Sequence, residues 1–91
     1  IVSAMVRVLY FASARDLTGK DYDDVDIAKT FEGRSTVPLN MLLEYIEKLY
    51  TGKNIFQSAL FAVNDEYRDR ASNVGVKNSD NVVIVPPVSG G

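Results

Sequence analysis

The stretch STVPLNMLLEYIEKLYTG, residues 35–52, decides the fold because it encodes one amphipathic helix. Its apolar residues recur at spacings of three and four and so share one helical face: Leu39, Leu42, Leu43, Ile46, Leu49 and Tyr50. Ser35 or Thr36 is predicted to cap the helix, and Pro38 suits a first turn, where its missing N–H costs nothing. Gly52 is predicted to end the helix. The sequence therefore predicts one well-defined helix with a single buried face.

Two strands are predicted before this helix. Residues 6–11 alternate in side-chain direction and are mostly β-branched or aromatic, which is typical of a strand. Residues 13–18 are predicted to hold one helical turn that stops at Gly19. Residues 20–28 contain four aspartates and are predicted to form an exposed strand paired with the first. A turn is predicted at residues 32–34.

The residues after the helix are predicted to be strands. Residues 60–63 and 66–70 flank Asn64-Asp65, as in a hairpin with a two-residue turn. Residues 74–80 are predicted to be a loop, and residues 81–85 a short apolar strand, buried on both faces if it is central. The order β, β, α, β, β indicates an α+β fold, a mixed sheet with one main helix across it. That is the β-grasp arrangement of ubiquitin-like domains, predicted here as a single domain over residues 1–91.

Composition excludes much side-chain chemistry. The 91 residues contain no cysteine and no histidine, which removes thiolate nucleophiles, disulfides and the usual general base near neutral pH. Ten Lys and Arg against twelve Asp and Glu argue against a nucleic-acid partner. The apolar start of the chain is too short to span a membrane, and the missing cysteines favour a reducing compartment, the cytoplasm. Residues 1–4, which precede Met5, are interpreted as a possible remnant.

Four aspartates invite a calcium-loop interpretation: Asp21, Asp23, Asp24 and Asp26. The glycine and the distal glutamate of an EF-hand are missing from the required places. A solvated strand edge is the favoured interpretation, and no metal site is predicted.

The C-terminal residues PPVSGG are the segment that folding does not explain. Pro86 and Pro87 offer no N–H to a sheet and favour an extended backbone. Gly90 and Gly91 are costly to order and add no side-chain contact. Residues 87–91 are therefore predicted to form a flexible extended tail of about 15 Å. Such a tail can enter a narrow channel and present its α-carboxylate to chemistry performed elsewhere, although a frayed end is the simpler alternative.

Several motifs together give the chain a family resemblance. They are VLYFA at 8–12, ARDLTG at 14–19, AVNDEY at 62–67 and DNVVIVPPVSGG at 80–91. With these motifs the chain resembles the small, sulfur-carrying subunit of molybdopterin synthase. The resemblance covers Met5 to Gly91, and the PPVSGG ending is its most diagnostic part.

The resemblance implies a sulfur carrier that is not itself an enzyme. An adenylyltransferase related to ubiquitin-activating enzymes would use ATP to adenylate the carboxylate of Gly91. A sulfur donor would then convert the adenylate to a thiocarboxylate. Docked in the large catalytic subunit, the tail would give this sulfur to cyclic pyranopterin monophosphate and so build the dithiolene of molybdopterin. No cofactor is expected to stay bound to the carrier, since ATP is consumed on the activating enzyme.

The resemblance also implies which residues meet the partners. Phe11 and Val85 match contact positions of the family, and Arg15 is a polar candidate. Core packing is the alternative for Phe11, and a solvated helix charge is the alternative for Arg15. The tail residues Pro86, Pro87, Val88 and Ser89 are expected to bind in the partner channel. Gly90 is expected to form the reactive end of the chain together with Gly91. The family assembly implied is a heterotetramer, with two small subunits flanking a large-subunit dimer.

Two other function classes stay open. The chain could be a carrier on the same fold that serves thiamine synthesis or tRNA thiolation, or a ubiquitin-like protein modifier. Those relatives usually lack Pro-Pro-Val-Ser before the glycines. It could also be a plain interaction domain whose Gly-Gly end has no chemical role.

Overall fold

A computed structural model describes residues 5–50, 56 and 58–86 of the chain. The predictions for residues 1–4, for Gly52 and for residues 87–91 lie outside the described residues. In chain order the elements are β1 Val6–Tyr10, α1 Ser13–Thr18, β2 Tyr22–Val25, α2 Ile27–Thr30, β3 Thr36–Pro38, α3 Leu39–Tyr50, β4 Leu60–Val63, β5 Glu66–Arg68, β6 Gly75–Lys77 and β7 Asn81–Val85.

Five of the strands form one mixed sheet in the order β2-β1-β7-β4-β5. β1 and β7 pair in parallel, whereas the β1–β2, β4–β7 and β4–β5 pairs are antiparallel. α3 lies across the sheet, and its buried residues form one core cluster with those of the sheet. The predicted α+β fold of the β-grasp type is confirmed, including the placement of the last strand beside the first.

α3 is confirmed as the main helix, but the prediction for its start was wrong. Thr36–Pro38 is not a cap and first turn; it is β3, which pairs antiparallel with β6 in a separate two-stranded sheet. The helix begins at Leu39, whose N–H donates to the carbonyl of Val74 at 2.8 Å. The N–H of Asn40 donates to the carbonyl of Ser72 at 3.1 Å. Backbone carbonyls of a distant segment therefore satisfy N–H groups that a Ser or Thr cap would otherwise serve.

The buried face of α3 is confirmed at four of the six predicted positions: Leu39, Leu42, Leu43 and Ile46. Leu49 is 53% exposed and lies on the outer side of the helix. Tyr50 is half-buried, with its hydroxyl bound to Asp23. Glu47 is buried instead, because its carboxylate accepts hydrogen bonds from Arg70 at 2.6 Å and from the N–H of Phe56 at 3.2 Å.

The predicted bounds of the second strand and the predicted loop at 74–80 were wrong. β2 stops at Val25 rather than at residue 28, because Asp26 caps α2 by accepting a hydrogen bond from the N–H of Lys29. The predicted loop at 74–80 contains β6, whose partner β3 lies far away in sequence. The short helix at 13–18 is confirmed, and Gly19 ends it with a φ of 73°.

The hairpin of β4 and β5 is confirmed, although β5 ends at Arg68 rather than at residue 70. Its turn residues Asn64 and Asp65 both have positive φ, 49° and 72°, as a two-residue hairpin turn requires. β7 is central as predicted, but it is fully buried on one face only. Val82 and Ile84 face the core, while Val83 is half-buried on the other side. Among the described residues, no helix is long and apolar enough to cross a membrane.

Candidate docking surface beside the tail

The chain leaves the sheet at the end of its central strand. Because β1 and β7 run in parallel, both strands end at the same edge of the sheet. The backbone hydrogen bonds between β1 and β7 continue one residue past β1, since the N–H of Phe11 donates to the carbonyl of Ile84 at 3.1 Å. Pro86 follows β7 and is half-buried. The chain therefore leaves the sheet beside Phe11.

The face of the sheet opposite α3 is apolar near this edge. Side chains that alternate away from the core lie side by side across the strands, as the registers of Leu9 with Tyr22, Leu9 with Val83 and Leu60 with Val85 show. We call this surface the apolar outer face, and its residues are Leu9, Phe11, Tyr22, Leu60, Ala62, Tyr67, Val83 and Val85. Three of its members are largely exposed: Phe11 at 50%, Leu60 at 58% and Tyr67 at 78%. A contiguous exposed patch of this kind is typical of a protein–protein interface.

The same face is polar at its other end, away from the tail. Arg7 binds Asp24 through two hydrogen bonds, of 2.9 and 3.0 Å. The Arg7 guanidinium also lies 3.9 Å from the centroid of the Tyr22 ring. Asn81 completes this row beside Arg7. The outer face therefore changes from paired charges to apolar side chains in the direction of the tail.

A small groove of about 270 Å³ borders the apolar outer face beside Phe11. Its lining includes Ala12, Arg15 and Asp21. Arg15 lies on α1 and pairs with Asp21 at 3.5 Å, with both side chains mostly exposed. Pairs of this kind contribute little to stability, so the Arg15 guanidinium can exchange partners at small cost.

The structure brings together the described members of the predicted site. Phe11 is half exposed and outside the core, which removes core packing as its explanation. Val85 is half-buried and pairs with Leu60 across the strands. Pro86 follows at the end of β7, and the other predicted tail residues lie outside the described residues. Leu60 was missed by the sequence analysis; its signal is an outward position on a strand whose neighbours Phe61 and Val63 are buried.

The aspartates near β2 have separate structural roles. Asp23 faces the core side and accepts hydrogen bonds from the hydroxyls of Tyr10, at 2.9 Å, and Tyr50, and from Lys20 Nζ at 2.9 Å. Burial alone would raise the pKa of Asp23, but these three donors outweigh it and hold the pKa below its usual range. Burial and the bond to Asp23 raise the pKa of Tyr10. Asp23 is thus not the solvated edge residue that was expected.

Two further aspartates have partners as well. Asp24 on β2 pairs with Arg7, and Asp26, just after β2, caps α2. Within residues 5–50, 56 and 58–86, no group of three or more acidic side chains is arranged to hold a metal ion.

Comparison with known proteins places the chain in a family, because residues 8–91 match the ThiS family. The chain belongs to the ThiS family. A curated member, the molybdopterin synthase sulfur carrier subunit of Chlamydomonas reinhardtii, is 31% identical over 87 residues, which cover 94% of this chain and 98% of that protein. The resemblance stated from the sequence motifs is thereby confirmed.

Solved structures support the same placement. A putative molybdopterin converting factor subunit 1 from Pyrococcus furiosus superimposes with a TM-score of 0.70 at 27% identity, covering 94% of this chain and 100% of that one. A chain from the complex of subunits 1 and 2 of molybdopterin-converting factor from Helicobacter pylori gives a TM-score of 0.61 at 24% identity and covers 96% and 99%. The second likeness shows the fold alone.

Proposed function

We propose that this ThiS-family chain is the sulfur carrier subunit of a molybdopterin synthase and that it carries sulfur as a thiocarboxylate on Gly91. The observation that supports this most is the exit of β7 beside an exposed apolar face. A body with such a face can dock on a partner while the residues after Pro86 extend into the partner's site. The name and near-complete coverage of the relative from C. reinhardtii favour this function over the other carriers.

The chemistry assigned to the tail explains why the chain needs no reactive side chain. A carboxylate is a poor electrophile, so an activating enzyme first joins it to AMP at the expense of ATP. A sulfur nucleophile then attacks the carbonyl carbon and AMP leaves. The resulting thiocarboxylate acts as the nucleophile on the pterin precursor, held in place by proximity within the large subunit. Water then cleaves the bond between the acyl carbon and sulfur, which leaves the sulfur on the pterin and returns the Gly91 carboxylate. The acid–base groups and the ATP site are assigned to the two partner proteins.

The apolar outer face is assigned to docking because the tail binds poorly by itself. Ordering residues 88–91 costs about 1–2 kcal/mol each, before any contact is gained. Burying Phe11 and Leu60 against the large subunit offsets this cost. Arg15, beside the groove, is placed to pair with an acidic group of the partner. We infer that the complex is a heterotetramer in the cytosol, with one carrier on each large subunit of a dimer.

Mass spectrometry of the intact chain tests the carrier chemistry. The first spectrum establishes that Gly91 is the terminal residue. Incubation with the activating enzyme, ATP and a sulfur donor is then expected to add the mass of one oxygen-to-sulfur exchange to Gly91. A chain that lacks Gly90 and Gly91 is the control and should not change. An unchanged mass for the complete chain would exclude every carrier function.

Binding to the purified large subunit separates molybdopterin synthesis from the other carrier functions. Replacing Leu60 by Ala is expected to weaken Kd about tenfold, since a side chain at the centre of an interface carries much of its energy. Leu49→Ala is the matched control, because Leu49 is 53% exposed on the opposite side of the molecule and should leave Kd unchanged. The chain without Gly90 and Gly91 should still bind but should form no dithiolene. A thiocarboxylated chain that does not bind the large subunit would point to thiamine synthesis, tRNA thiolation or protein modification instead.

A further inference from the structure

Ala12 has a backbone conformation that ordinarily requires glycine. Its φ is 53° and its ψ is −126°. These angles are close to those of the first central residue of a type II′ turn, a position dominated by glycine. A residue with a Cβ is strained there, and such strain persists only when the surrounding structure holds it.

The strained residue forms the bend that turns the chain from β1 into α1. Both backbone polar groups of Phe11, the residue before the bend, are hydrogen-bonded. Its N–H donates to the carbonyl of Ile84 at 3.1 Å, and its carbonyl accepts from the N–H of Ala14 at 3.0 Å. The carbonyl of Ala12 itself accepts from the N–H groups of Arg15 and Asp16, at 3.0 and 3.2 Å. The bend therefore fixes Phe11 relative to Arg15, the two predicted contact residues that border the groove.

Folding alone does not explain an alanine at this position. Ala12 is exposed, so its methyl group adds nothing to the core, and α1 begins without a side-chain cap. A glycine would make the same backbone hydrogen bonds without strain. The other effect of the methyl group is to narrow the range of positive-φ conformations at this bend, which glycine would leave open. Asn64 and Asp65 also have positive φ, but in a hairpin turn that those residue types favour.

We propose that Ala12 is a positioning residue whose strained bend holds Phe11 and Arg15 in the arrangement that the large subunit binds. The inference rests on the proposed function, since it concerns docking of the sulfur carrier. Alanine at this position lowers the stability of the free chain. It also reduces the conformational freedom that Phe11 and Arg15 lose on docking. Rigid presentation of contact groups increases affinity in this way without any added contact.

The variant Ala12→Gly tests the proposal because it moves stability and affinity in opposite directions. Its Tm is expected to rise by roughly 5 °C, as strain is removed. Its Kd for the large subunit, measured by calorimetry, is expected to weaken about two- to tenfold, as Phe11 and Arg15 must now be ordered on binding. Ala28→Gly is the matched control: Ala28 is exposed on α2, so this change should lower Tm and leave Kd unchanged.

A chain with D-alanine at position 12 separates rigidity from strain. D-alanine adopts positive φ without strain but is as restricted as alanine. The chain has no cysteine, so it can be assembled by ligation at Ala14 through a temporary cysteine that is then desulfurised. We expect this chain to have the raised Tm of the glycine variant and the Kd of the natural one.

Three results would overturn the proposal. An Ala12→Gly chain that binds as tightly as the natural one would show that the bend has no part in docking. A lower Tm for that variant would show that Ala12 is not strained, and weak binding by the D-alanine chain would show that rigidity is not the cause. Failure of the proposed function is a separate outcome, because then the natural chain itself would not bind the large subunit.

Discussion

Replacing Asp23 by Asn should lower the free energy of unfolding, because the Asp23 carboxylate links β2 to β1 and α3. Asp23 on β2 binds Tyr10 of β1, Tyr50 at the end of α3 and Lys20. Its side chain is 17% exposed, so these bonds are partly shielded from water. Asparagine keeps the shape of the side chain but removes the charge and one acceptor oxygen.

The loss can be estimated from the bonds that change. Hydrogen bonds to a charged group contribute about 1.5–3 kcal/mol and neutral ones about 1 kcal/mol, so weakening the two tyrosine bonds costs about 1–4 kcal/mol. The bond from Lys20 adds little, because the Lys20 side chain is 54% exposed. We expect a total near 2 kcal/mol at pH 7, equivalent to a Tm lower by roughly 8–16 °C for a domain of this size.

The loss of stability caused by Asp23→Asn should become smaller at low pH. The pKa of Asp23 is lowered in the folded chain, so its contribution is complete above its unfolded pKa, near 3.9, and is lost as pH falls through the lower folded value. Urea unfolding followed by circular dichroism at pH 7 and pH 3 should therefore show a smaller difference between the natural chain and Asp23→Asn at pH 3.

The matched control for this experiment is Asp21→Asn. Asp21 has a side chain that is 76% exposed and pairs with the exposed Arg15, so its loss should cost less than about 0.5 kcal/mol. Equal effects of the two substitutions at pH 7, or an Asp23→Asn effect that does not shrink at pH 3, would refute the reasoning.

Two further predictions concern stability. Glu47→Ala should lower the free energy of unfolding by about 3 kcal/mol, because it leaves Arg70 without its partner at 2.6 Å and the N–H of Phe56 without an acceptor. Glu44→Ala, at an exposed position of α3, is the control. Equal urea midpoints for the two variants would contradict the prediction. Asp65→Gly should raise Tm by roughly 4–8 °C, because Asp65 has a φ of 72° and Asn-Gly suits a two-residue hairpin turn; a lower Tm would show that the turn is not strained.

The parts of the fold that the sequence predicts are those encoded by local patterns. The buried face of α3, the Asn64-Asp65 turn and the apolar run of β7 each lie within a few neighbouring residues. β3 and β6 were missed because each has three residues and each depends on the other, across a long separation in sequence. Pro38 added to the error, since a proline near the start of a helix favours helix and strand edge equally well.

The sequence predicts candidate contact residues but not the structure that supports them. Phe11, Arg15 and Val85 were predicted from the family resemblance alone. The inward direction of Asp23 depends on its register opposite Val8, which no local pattern reveals. The strain at Ala12 was equally hidden, because alanine ordinarily predicts a helix and gives no sign of positive φ.

The parallel pairing of β1 with β7 links these features into one functional argument. Since both strands end at one edge, the residue before the bend, Phe11, is hydrogen-bonded to β7 at Ile84, two residues before Pro86. Movement of the bend would therefore shift Phe11 relative to the point where the chain leaves the sheet. The carrier proposed here, with its reactive group on Gly91 five residues beyond Pro86, would depend on that fixed starting point, because glycines have no side chains that could correct an error in position.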